Sequence, residues 1–129
     1  MNLFSTPGLS GPTLVGANVV RFLLVAFFVM VAAKNLMGDP QMASDFTRWG
    51  YSAGFRQFTA MLQIVGALLL LFPGTAFFGA ALLTGVLLGA LGTHLLHDPP
   101  AALVSPAVFL VLVAIVLVAH RPPMLRAAA

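Results

Sequence analysis

Four apolar runs, parted by short polar or proline-bearing breaks, set the pattern of this chain. Residues 14–37, 55–72, 76–97 and 106–120 are built almost wholly from Leu, Val, Ala, Phe, Ile, Met and Gly. A helix crosses a hydrocarbon core of ~30 Å with ~20 residues, so each run is long enough or nearly so. Backbone groups in lipid must bond within their own segment, which makes the runs helices. The pattern predicts an all-α protein, a transmembrane four-helix bundle in one domain over 14–120. A flexible or interfacial segment, 1–13, precedes it, and a tail, 121–129, follows. Residues 1–13 hold Pro7, Gly8, Gly11 and Pro12 but no Lys or Arg. The run behind them is too long for the apolar centre of a cleaved signal, so that reading is set aside.

The breaks have recognisable chemistry. Gly38-Asp39-Pro40 stops the first helix, since proline cannot continue it. Residues 41–55 form the one long connection, and such loops are often functional. Phe72-Pro73-Gly74-Thr75 leaves room only for an antiparallel neighbour. His97-Asp98-Pro99-Pro100 ends the third span. Ser105-Pro106 reads as an N-cap followed by proline at the first helical position. A short turn at 99–104 before the fourth span is the preferred reading, and a helix from Pro99 kinked at Pro106 is the other.

Composition fixes the solvent. The chain is 60% hydrophobic and 7% charged, too few charges to coat the outside of a water-soluble bundle. The net charge of +3 comes from scarce acids. No basic cluster exceeds two residues, so nucleic acid is not an expected partner. The absence of cysteine removes disulfides, thiol catalysis and Cys-ligated clusters. Four spans put both ends of the bundle on one side. Basic residues nearly tie, with Arg21, Arg121 and Arg126 on the termini side and Lys34, Arg48 and Arg56 on the loop side. The termini are expected in the cytoplasm.

Ala81, Gly85, Gly89 and Gly92 place small residues at helical spacing. They are expected to pack within the bundle, with a homo-oligomer contact as the alternative. Trp49 and Tyr51, the sole Trp and Tyr, are expected as anchors at the membrane–water interface.

Polar residues inside the apolar runs carry the candidate chemistry, because each is costly in lipid. Lys34, Gln63 and His94 fall at one depth near the loop side, and Arg56 lies at the mouth above them. Together they offer a cationic donor, an amide with both functions and a group that titrates near neutrality. A carbonyl-bearing apolar molecule such as a quinone needs such donors, and a protonatable His can move the proton its reduction requires. Each residue also has an ordinary role available: Lys34 can snorkel to headgroups, His94 can bond a carbonyl, and Gln63 can join helices. Arg21 lies ~20 Å from Lys34 along the helix and cannot share a small ligand with it. It faces either the bundle interior or lipid phosphates. No metal is expected. His94 and His97 are i, i+3 with only Asp98 near, and His120 ends the fourth span at the far side. No nucleophile constellation and no phosphate loop is present.

The order of these residues resembles the DoxX and DoxX-like membrane family. Arg21 and Lys34 lie in the first span. Phe46-Thr-Arg-Trp-Gly-Tyr51 follows, then Gln63-Ile-Val-Gly-Ala-Leu-Leu-Leu-Leu-Phe-Pro73, then Gly89-Ala-Leu-Gly-Thr-His94-Leu. The likeness covers about residues 18–120. It implies a four-span bundle in the cytoplasmic membrane of a bacterium, linked to quinone-coupled redox chemistry; the name-giving member is similar to a subunit of a thiosulfate:quinone oxidoreductase. Family members often carry Glu where this chain has Gln63, and an amide does not titrate. The expected function is therefore a quinone- or lipid-binding subunit of a membrane oxidoreductase, with Lys34, Gln63, His94 and Arg56 at the ligand and no intrinsic cofactor beyond a possible quinone. The alternative is a non-catalytic accessory subunit on a larger respiratory or photosynthetic complex.

Overall fold

The computed structural model describes residues 11–122. Helix α1 spans Gly11–Met37, α2 Pro40–Arg48, α3 Ala53–Leu70, α4 Ala76–His97 and α5 Val104–Ala119, with a 3-10 turn at Pro100–Leu103 before α5. No strand occurs among the described residues. The expected segment 1–13 lies mostly outside them, but Gly11 to Thr13 already belong to α1. Residues 123–129 of the tail, with Arg126, also lie outside.

Four of the helices are long and apolar enough to cross a membrane. α1 packs on α3, α3 on α4, α4 on α5 and α5 on α1, closing a ring. Only 17–33% of each candidate span is buried in the bundle. The outward positions remain apolar: Leu23, Val111 and Leu96 are all exposed. Apolar side chains on both the inner and the outer face are the signature of helices solvated by lipid.

The loop 41–55 is corrected. Its first part is a short amphipathic helix, α2. Gly38 takes φ +72°, and the amides of Gly38 and Asp39 bond the carbonyls of Asn35 and Lys34. That arrangement closes α1 in a Schellman motif. Asp39 then turns from terminator to N-cap and accepts the Met42 amide at 3.2 Å, with Pro40 at the first helical position. Gly50, at φ +88°, closes α2 in the same way: the Gly50 and Tyr51 amides bond the Thr47 and Phe46 carbonyls. Ser52 caps α3 through the Phe55 amide at 3.1 Å.

The core concentrates toward the termini side, where Leu24, Leu70, Ala76, Ala80, Leu83 and Val116 are buried. Arg21 lies within it, 1% exposed. Its Nη1 donates to the carbonyls of Leu70 at 2.6 Å and Leu71 at 2.8 Å. Those carbonyls end α3, where no further turn supplies amides. Of the two orientations open to Arg21, the interior one holds.

Tight glycines are Gly66 and Gly79. A Cβ on Gly79 would sit 2.7 Å from the Gly66 carbonyl oxygen, and one on Gly66 would sit 2.6 Å from Leu83 Cγ. The expected packing role of Gly85, Gly89 and Gly92 is overturned: no atom lies within 4 Å of the place a Cβ would take at any of them. α3 and α4 touch near their shared turn, and the gap at the loop end is left open.

Candidate functional site

That gap is part of a cavity of about 600 Å³ in the loop-side half of the bundle, a volume typical of small-molecule sites. α1 contributes Phe27, Phe28 and Asn35 to its walls, α3 Phe58 and Gln63, α4 Gly85, Gly89 and His94, and α5 Phe109. Met42, Phe46 and Trp49 from α2 and its end form the roof. Aromatic rings dominate the lining, with a few convergent polar groups.

Two of those groups are unsatisfied. Asn35 is 3% exposed and Gln63 7%, and Asn35 Oδ1 and Gln63 Oε1 are buried with no hydrogen-bond partner. An orphaned buried acceptor costs about 1–3 kcal/mol. Both atoms belong to amides that line one cavity. An amide turned about its last torsion presents donors where it presented an acceptor, so each can meet a carbonyl or a hydroxyl.

Gln63 and His94 both line the cavity. Lys34 and Arg56 do not line it. Lys34 is exposed on the outside of α1. The buried face of that helix runs Arg21, Leu24, Phe28, Ala32, Asn35. Lys34 sits roughly 140° around from Arg21, against roughly 40° for Asn35. Arg56 is buried and donates through Nη1 to the Asn35 carbonyl, locking α3 to α1 behind the cavity wall. Asn35 is the residue that sequence reasoning missed. Its signal was available: it follows the interior Arg21 by two heptads.

An ion-pair cluster holds the roof. Asp98 accepts from Arg48 Nη1, from Trp49 Nε1 at 3.1 Å and from His94 Nδ1 at 2.6 Å. Burial pushes the Asp98 carboxyl up, but the bonds from His94, Arg48 and Trp49 outweigh it and hold the group below its ordinary range. The bonds to Asp98 and Asp45 raise Arg48 in turn. The Tyr51 hydroxyl lies 2.9 Å from Thr93 Oγ1. Trp49 and Tyr51, expected as interface anchors, therefore fasten α2 and its following turn to α4. His94 holds its Nδ1 proton toward Asp98, which leaves Nε2 as the second ring position.

Among the described residues, no group of three His, Cys, Asp or Glu is gathered as for a metal ion. His97 is exposed and points to no such site. The arrangement can hold an apolar molecule, offer its head hydrogen bonds from two amides and connect it to a His–Asp pair.

No curated protein and no solved structure matches the chain. One family model does match, over residues 19–116. That span holds α1 from Val19, the whole of α2, α3 and α4, and most of α5. On this match and the four spans, the chain is an integral membrane protein belonging to the DoxX-like family.

Proposed function

We propose that this protein is a quinone-binding subunit of a membrane oxidoreductase, seated in the cytoplasmic membrane of a bacterium with its termini inside. The single observation that carries the reading is the pair of orphaned amide oxygens, Asn35 Oδ1 and Gln63 Oε1, inside one aromatic-walled cavity. A binding site that hydrogen-bonds its ligand leaves such groups unpaired when the ligand is away.

A bound quinone supplies an electron and proton carrier soluble in lipid. The residues here do the rest. Asn35 and Gln63 orient the head. They serve oxidised and reduced forms alike, because an amide donates to a carbonyl and, rotated, accepts from a hydroxyl. His94 stands at the cavity wall as the proton-exchanging group, and Asp98 fixes the orientation of its ring. Phe27, Phe28, Phe58 and Phe109 exclude water and contact the ring. Gln63 acts by hydrogen bonding alone, so proton movement rests on His94. The reading assigns electron delivery to a larger membrane partner.

The test is solvent extraction and mass spectrometry of protein purified in mild detergent. The expected result is a quinone near one per chain, lost in the Asn35→Leu/Gln63→Leu variant and kept in Lys34→Ala, with helicity unchanged in both. Equal quinone in the double variant, or only phospholipid in the parent, would overturn the reading.

A further inference from the structure

α3 and α4 are joined at two levels. Near their shared turn, Gly66 and Gly79 pack backbone to backbone. Near the loop side, Tyr51, in the turn that leads into α3, meets Thr93. Between these levels the two helices leave a slot. On the α4 rim, Gly85 and Gly89 are exposed and nothing stands within 4 Å of their absent Cβ positions. On the α3 rim stands Phe58, 57% exposed. All three line the cavity, and all three lie within candidate spans.

Three other sides of the cavity carry cross-element contacts. The Phe27 ring of α1 stacks on Phe109 of α5 at 3.8 Å. Arg56 bonds α3 to the Asn35 carbonyl of α1. Above, Arg48 and Trp49 bind the roof to Asp98. The slot leads inward to Gln63 and Asn35, the two buried amides whose oxygens lack partners.

We propose that this slot is a side entrance from the bilayer, and that the ligand is a membrane-dissolved molecule with a flat, hydrogen-bonding head and a long apolar tail. The head passes over Gly85 and Gly89 to reach Gln63 and Asn35, while the tail stays among the acyl chains. Glycine at the rim gives a flat ring backbone to slide against at van der Waals distance, where any side chain would stand in its path. This inference rests on the cavity being a ligand site, as proposed above, and adds the route and the tail.

The sole tryptophan, Trp49, lines the cavity and reports on its contents. The full chain is placed in phosphatidylcholine nanodiscs, and a benzoquinone with a decyl tail is added while Trp49 fluorescence is followed. The expected result is quenching in the parent and quenching about tenfold slower in Gly85→Phe/Gly89→Phe, as when an association step meets a steric barrier. Leu88→Phe, which adds the same ring on the lipid face of α4, leaves the rate unchanged. An equal rate in the double glycine variant would overturn the entrance. So would a rate that rises in Asp98→Ala while ignoring both glycines, since that marks entry through the roof. If the double Phe variant does not fold, Gly85→Ala/Gly89→Ala carries the same test with a slowing of about threefold. If the benzoquinone does not quench the parent, the quinone head is lost. The route is then read with phosphatidylcholine bearing a nitroxide deep in its acyl chain. The entrance requires quenching at least about twofold weaker in the double variant than in the parent, because the label reaches Trp49 through the slot. Equal quenching would overturn it.

Discussion

The two ends of the α3–α4 pair obey opposite rules. At the termini side Gly66 and Gly79 approach so closely that a single methyl would strike backbone, and Arg21 Nη1 donates to the last carbonyls of α3. At the loop side the same two helices stand apart around Gly85 and Gly89, and two buried amides lack partners. One end joins its helices through tight glycines and an arginine bonded to helix-terminal carbonyls. The other leaves a gap lined by two amides. In lipid, where burial of apolar surface does not itself drive helices together, close packing and internal hydrogen bonds decide stability. The packed end holds the bundle, and the open end forgoes contacts that close packing would supply.

Breaking the packed end should have the largest effect. Arg21→Ala removes the donors for two carbonyls, and each orphan costs about 1–3 kcal/mol, so a loss of about 3 kcal/mol is expected in detergent unfolding. Gly79→Ala should cost about 1–3 kcal/mol, the range for forcing extra volume into a packed core. The same substitution at Gly85 meets no neighbour and removes a helix-weakening glycine, so it should be neutral or stabilising by up to about 1 kcal/mol. Equal losses at the two glycines would erase the contrast between the ends.

The roof gives the smallest effect and a pH signature. Asp98 is held below the ordinary aspartate value of 3.8. A group with a lowered folded-state value stabilises the fold above its unfolded value and loses that contribution as pH falls through the folded one. Trp49 emission should therefore hold steady from neutrality down to the ordinary aspartate range. It should shift toward exposed tryptophan only below it, as the contacts from Arg48 and Trp49 to Asp98 loosen. Asp98→Asn should remove the transition. A shift well above that range would place the latch elsewhere.

Much of this architecture was legible in the sequence. Four apolar runs gave four spans, and Ser105-Pro106 placed the last helix close to its observed start at Val104. The cavity's lining was legible only in part. Of Lys34, Gln63 and His94, only the last two line it. The helical angle from Arg21 would have turned attention from Lys34 to Asn35. Asp39-Pro40 both ends one helix and begins another, so reading it only as a terminator hid α2. Spacing alone could not tell which glycines touch. Gly85-x-x-x-Gly89 has the pattern of a contact, but the approach of α3 and α4 is set at Gly66 and Gly79, near the turn that ties them together.

The most direct test of the central claim is a thermal-unfolding comparison of the parent and Gln63→Leu, each with and without a tailed quinone. Binding stabilises a fold by about 2.7 kcal/mol at a hundredfold excess over Kd. The account predicts that Gln63→Leu is at least as stable as the parent without ligand, since an orphaned polar group is gone, and that its ligand-induced rise in Tm disappears while the parent's remains. A variant that unfolds earlier than the parent yet keeps the full rise would show that Gln63 serves the fold and not the ligand, and would contradict the account.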